Sequence, residues 1–176
     1  MTSMAVRAMN AVESTRALDR LAPLYARLGG PVAGTRVGDL LRGEGAGHAL
    51  HPALTDLPIG FWTSAMALDL MGAEHEDAAD LLVGIGLLSA VPTVLTGLAE
   101  WQRLGQRDAR VGSLHAALNT VGTVGFAASW VARRRGRRTS GIVLSYVAAT
   151  AATAAGYLGG HLTVVRSVGS RDAAFR

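Results

Sequence analysis

The placing of charge constrains this chain more than any other feature. No Asp, Glu, Lys or Arg occurs in residues 81–99, 111–132 or 140–165, and only Asp56 and Asp69 interrupt residues 51–71. Each of these blocks is about the 17–25 residues that cross a bilayer core as a helix. Apolar residues gathered in blocks, rather than spread as a periodic stripe, predict spans and not a soluble core. Composition agrees, with 49% apolar residues and only 17% charged ones, which is low for a soluble domain. The predicted fold is all-α: a four-helix transmembrane bundle preceded by an amphipathic N-terminal helix.

Taken in order, residues 1–47 form the amphipathic helix and a glycine-rich connector. Leu18, Leu21, Leu24, Tyr25 and Leu28 recur at helical spacing among arginines and acids, and Gly29-Gly30-Pro31 ends the run. Such a helix either lies on the membrane surface or docks on the bundle. With charges throughout residues 1–30 and no apolar h-region, this segment does not read as a secretory signal peptide. A short helical turn is expected near Val37–Leu41. Residues 48–165 hold the spans, at about 51–71, 81–99, 111–132 and 140–165, and residues 166–176 are a polar tail.

Several chemistries are excluded by composition. The chain has no cysteine, hence no thiolate nucleophile, disulfide or cysteine-ligated cluster. It has no lysine either, which removes Schiff-base mechanisms. The net charge of +4 comes from arginines in tails and between apolar blocks, the pattern of a membrane protein and not of a nucleic-acid binder. No nucleophile–base pair, phosphate loop or catalytic acid pair is evident, so no independent catalytic activity is expected.

Four consecutive spans alternate in direction. The start of the first, the end of the second, the start of the third and the end of the fourth then share one membrane face. His48, His51, Glu100, His115 and His161 all fall there; His75 falls opposite. At about 100° per residue, His51, Thr55, Trp62 and Asp69 share one helix face within roughly 40°. His115, Asn119, Gly122 and Phe126 share another. Ser89, Thr93, Thr96 and Glu100 form a third stripe, and Thr150, Tyr157 and His161 a fourth. These faces are expected to turn inward. Ionisable groups in a span are functional-site candidates by default. Asp69 is expected to reach the interface rather than pair across the bundle.

The chemistry that suits this arrangement is axial ligation of b-type haem by two imidazoles from facing helices. The ligands would come from His51, His115 and His161, the third lying near a propionate or a quinone. Thr55, Asp56, Glu100, Asn119 and Tyr157 are the candidate supporting groups. Three alternatives stand beside it. The same histidines can be interfacial groups that cap carbonyls and bond to lipid headgroups. His51, His115 and His161 with Glu100 also suit a divalent metal ion, for binding or transport. The small-residue spacing Ala152, Gly156, Gly160 suits close helix packing, as in a non-catalytic membrane scaffold, complex subunit or homo-oligomer.

One combination of motifs is more specific. His51-Pro52, Leu57-Pro58-Ile59-Gly60, the internal Asp69, and Gly159-Gly160-His161-Leu162 resemble a bacterial family of predicted four-span membrane proteins called domain of unknown function 2231. The resemblance covers about residues 45–170, and the alanine-, glycine- and arginine-rich composition looks actinobacterial. Some relatives carry a Rieske iron–sulfur domain after the fourth span. The resemblance therefore implies a bacterial plasma-membrane protein and an electron-transfer context. Lacking cysteine, this chain would meet any iron–sulfur or other redox partner as a separate protein. The arginine run Arg133–Arg138 is expected on the cytoplasmic side.

Overall fold

The computed structural model describes residues 3–170. Seven α-helices follow one another: α1 (Met4–Ser14), α2 (Ala22–Gly29), α3 (Arg36–Arg42), α4 (Leu50–Met71), α5 (Glu76–Glu100), α6 (Gln106–Arg134) and α7 (Arg138–Gly160). Among the described residues there is no strand, only an isolated antiparallel bridge between His48 and Ser170. The chain is all-α. Part of the expected polar tail, residues 171–176, lies outside the described residues.

The N-terminal part differs from the single amphipathic helix expected. It is α1, a 3-10 segment at Arg16–Arg20, and α2. The hydroxyls of Ser14 and Thr15 both donate to the Ala11 carbonyl, at 3.0 and 2.7 Å, and Thr15 leaves the helix with extended backbone. Such side-chain bonds compete with the helical ladder and end it. Pro23 then sits in the first turn of α2, where its missing N–H costs nothing. The short turn expected near Val37–Leu41 falls inside α3, which Thr35 caps by accepting from the Gly38 N–H. Gly43, at φ 71°, closes α3 in the left-handed conformation that favours glycine.

The four long helices have 22, 25, 29 and 23 residues. Three of them extend beyond the uncharged blocks. Glu76 and Asp77 fill the first turn of α5, and Arg133 and Arg134 the last turn of α6, the ends at which each sign suits the helix dipole. By length and composition, two helical stretches are long and apolar enough to cross a membrane, Ala73–Arg103 and Arg138–Val165. α4 and α6, at 22 and 29 residues, are long enough, but His51, Asp56 and Asp69, and His115, Asn119 and several Gly, Ser and Thr, dilute their hydropathy.

The chain divides into two compact units. In the unit of residues 51–94 and 118–155, stretches of four helices pack side by side. Trp62 of α4 donates its indole N–H to the Val83 carbonyl of α5 at 3.3 Å. It also stacks on Phe126 of α6, with centroids 4.1 Å apart and planes 10° from parallel. Gly86 has no Cβ where the indole lies; any side chain there would overlap it. Gly122 and Gly125 let α6 approach Ala148 and Ala152 of α7. Leu81, Leu88, Val91, Val121, Val124, Val143 and Val147 point outward.

The other unit comprises residues 3–50, 95–117 and 156–170. Here the N-terminal segments dock on the connection between α5 and α6. Tyr25 packs on the buried Trp101 with centroids 4.8 Å apart, and the Gln102 amide donates to the Ala26 carbonyl at 2.9 Å. Arg110 forks onto Asp19 at 2.7 and 2.9 Å and donates to the Glu13 carbonyl at 2.9 Å. Arg103 pairs with Glu44 at 2.7 Å.

The Arg110 hydrogen bonds hold the Asp19 carboxyl below its ordinary value of 3.8. A depressed carboxylate stabilises the docked state above that value, and the contribution is lost as pH falls through the lower folded value. Accordingly Asp19→Asn should raise the rate of limited proteolysis near residues 15–20 at neutral pH. The difference from wild type should close as pH drops below 3.8.

Candidate functional site

His51 stands in the first turn of α4. Its Nδ1 lies 2.8 Å from the carbonyl oxygen of Thr93 on α5. A carbonyl only accepts, so Nδ1 carries the hydrogen and Nε2 holds the lone pair in the neutral ring. The Thr93 hydroxyl lies 3.0 Å from the carbonyls of both Leu54 and Ser89, which fixes the same pair of helices. These groups all belong to the unit of residues 51–94 and 118–155.

His115 and His161 lie in the other unit. The His115 ring packs against the backbone of Gly159; a Cβ there would stand 2.9 Å from its Cε1. His161 opens a π-helical turn, His161–Val165, that continues α7. Such turns widen the backbone and occur often at functional sites. Its Nε2 lies 2.9 Å from Oε1 of Glu13 on α1, with both side chains mostly buried. The sequence offered no signal for this pair, whose members are 148 residues apart.

The other candidates are placed as follows. Glu100, Thr96 and Thr93 are buried, so the α5 stripe faces inward. Trp62, Phe126 and Gly122 are buried as well. The Thr55 hydroxyl donates to the Pro52 carbonyl of its own helix. Asn119 is half-buried and Asp56 exposed. Tyr157 is 56% exposed, and Thr150 is exposed with its hydroxyl donating to its own helix at Val147. This part of α7 therefore presents Ser145, Ala148, Ala155 and Leu158 inward instead. His48 Nδ1 meets the Ala49 carbonyl at 3.1 Å, and His75 lies beside Glu74 in a loop. Among the described residues, no group of three or more His, Asp and Glu side chains is arranged to hold a metal ion.

A second polar centre lies at the ends of α4 and α6. Asp69 does not reach the interface as expected: its side chain and that of Arg133 are both 0% exposed. The two form a fork, with Nη1 to Oδ1 at 2.9 Å and Nη2 to Oδ2 at 2.5 Å. Asp80 accepts from Nη1 at 3.2 Å, Ser129 from Nε at 3.1 Å and Ser145 from Nη2 at 3.4 Å. All five guanidinium N–H donors thus have acceptors. Arg138 adds a bond to Asp69 at 2.9 Å and another to Glu76 at 2.8 Å. The arrangement satisfies a buried charge by bidentate pairing; it offers no unpaired group for proton transfer.

The model of a family described as a predicted membrane protein, domain of unknown function 2231, matches residues 47–172. The chain belongs to this family. The family region takes in His51, His115, His161 and the whole Arg133–Asp69 centre. Glu13, Asp19 and the short helices α1–α3 precede it. No curated protein and no solved structure matches the chain.

Proposed function

We propose that this membrane protein is a small redox subunit of the bacterial plasma membrane. In this reading it spans the bilayer four times, with Arg133–Arg138 cytoplasmic, and binds b-type haem or quinone through His51, His115 and His161. The observation that carries the reading is the hydrogen bond from His51 Nδ1 to the Thr93 carbonyl. Ligating imidazoles are characteristically oriented this way, with the remote nitrogen presenting its lone pair. The Glu13 carboxylate on His161 is a second orienting contact of that kind.

Bound haem would supply a one-electron couple. The chain's own part would be to orient the rings, His51 through the Thr93 carbonyl and His161 through Glu13. Electrons would pass to or from a separate iron–sulfur or other redox protein. Four spans are supported by the outward Leu and Val belt around inward Ser129, Ser145, Thr93 and the Asp69–Arg133 pair. That distribution is the one that lipid on the outside demands.

The test is an absorption spectrum of protein expressed with ample haem and purified in mild detergent. A Soret band that is lost in His51→Ala and in His115→Ala or His161→Ala is expected. No pigment, and no quinone in the organic extract, would overturn the reading. A scaffold is the second reading, favoured by the open space over Gly156 and Gly160, which leaves small residues for a partner helix. In that case the triple histidine-to-alanine variant keeps its assembly state and carries no chromophore.

A further inference from the structure

A groove runs between α6 and α7 within the unit of residues 51–94 and 118–155. Its volume is about 530 Å³. Val124, Ala128, Val131 and Leu144 form its walls, and all are aliphatic. Arg135 and Arg137 line one end, beside Ser140. Along α6 the groove covers residues 124–135, roughly 16 Å at 1.5 Å per residue. That is about half of a 30 Å hydrocarbon core, the depth of one leaflet.

The charge at its mouth has a structural origin. Three of the acids at this end of the unit are already engaged: Asp69, Asp80 and Glu76 pair with Arg133 and Arg138. Arg134 lies over the Trp130 ring, 5.9 Å from its centroid. Among the described residues, the side chains of Arg135 and Arg137 pair with no carboxylate. Gly136, at φ 72°, turns the chain between them. Its N–H bonds to the Arg133 carbonyl and that of Arg137 to the Ala132 carbonyl, each at 2.9 Å. The tight turn brings Arg135 and Arg137 to the same groove end.

We propose that this groove binds one anionic phospholipid of the bilayer. An acyl chain would lie along Val124, Ala128, Val131 and Leu144, and the headgroup phosphate would meet Arg135 and Arg137. An open aliphatic groove of about that length, ending in two arginines that pair with no carboxylate, complements an anionic lipid with one acyl chain laid along it. A zwitterionic lipid leaves that charge uncompensated, and a neighbouring apolar helix leaves it buried. Basic pockets between membrane helices hold anionic headgroups in this manner. The inference rests on the four-span reading proposed above, and not on the histidines or on any chromophore.

The experiment uses the full chain in mild detergent, titrated with phosphatidylglycerol and with phosphatidylcholine and read by native mass spectrometry. One tightly retained phosphatidylglycerol per chain is expected, with much weaker retention of phosphatidylcholine. Arg135→Gln/Arg137→Gln together should weaken phosphatidylglycerol retention about twenty-five-fold, at about a factor of five per arginine near a membrane surface. Ala128→Phe, which fills the groove and keeps both charges, should weaken it as well while leaving Arg135 and Arg137 in place. Equal retention by wild type and the double variant overturns the proposal. So does equal binding of inorganic phosphate, which would mark a simple anion site, or dimerisation abolished by Ala128→Phe with lipid retention unchanged. Should the double variant fail to fold, the Ala128→Phe and phosphate arms decide the matter alone.

Discussion

Arg133→Leu is expected to lower the unfolding free energy by about 3–5 kcal/mol, the cost of breaking a buried ion pair by removing one partner. Asp69, at 0% exposure, would keep only Arg138 at 2.9 Å. Asp69→Leu should cost a similar amount, since Arg133 would retain Asp80 at 3.2 Å and two serine hydroxyls but no forked carboxylate. Against a typical total of about 5–15 kcal/mol, either single change removes a large share of the stability. The double variant should recover much of the loss, because neither fully buried charge is left without its forked partner, and Asp80 and Glu76 keep Arg138. Arg133→Lys should not rescue stability, as an ammonium cannot supply the five-donor fork. Thermal unfolding in mild detergent measures all four. Single variants within about 1 kcal/mol of wild type would show that water reaches the pair and that it contributes as a surface contact does.

The second large effect is at Trp62. Trp62→Ala removes the stacked partner of Phe126 and leaves a cavity in the core, at a cost of about 3–5 kcal/mol. Trp62→Phe keeps a ring against Phe126 but loses the hydrogen bond to Val83, so its cost should be clearly smaller. Gly86→Val attacks the same contact from α5, since its side chain occupies the place of the indole; overpacking of this kind costs about 1–3 kcal/mol. The readouts are the unfolding midpoint and, for Gly86→Val, the tryptophan emission, which should shift as the indole is displaced. An unchanged midpoint in Trp62→Ala would mean that α4 and α6 do not pack through this ring.

The long helices could be read from the sequence because hydropathy marks the part of a helix that meets apolar surroundings. Their ends could not. Glu76 and Asp77, Gln106–Arg110 and Arg133–Arg134 are helical and charged, and charge in a linear scan resembles a loop. The inward faces of α4, α5 and α6 were legible because a large or polar residue recurs among aliphatic ones. Part of the α7 face was not, because its buried side is Ser145, Ala148 and Ala155, which differ little from their alanine- and glycine-rich surroundings. Thr150, meanwhile, satisfies its hydroxyl on its own helix and faces outward at no cost. The break at Thr15 depended on two hydroxyls bending back to Ala11, a local competition that apolar periodicity does not register.

At the candidate site, the sequence places the histidines but not what holds them. Thr93 offers His51 a backbone carbonyl, a group every residue has. Glu13 meets His161 only through the docking of the N-terminal segment. Asp69 was misread because an acid two residues from the end of an apolar block looks interfacial when its partner is 64 residues away.

That separation bears on how the chain is made. Asp69, Glu76 and Asp80 leave the ribosome before either cation that neutralises them, and Arg133 follows Asp80 by 53 residues. The α4–α5 pair thus emerges with acids that have no counter-ion, and these meet Arg133 and Arg138 only when α6 and α7 follow. A product truncated after α5 would therefore carry Asp69, Glu76 and Asp80 without the two arginines that neutralise them.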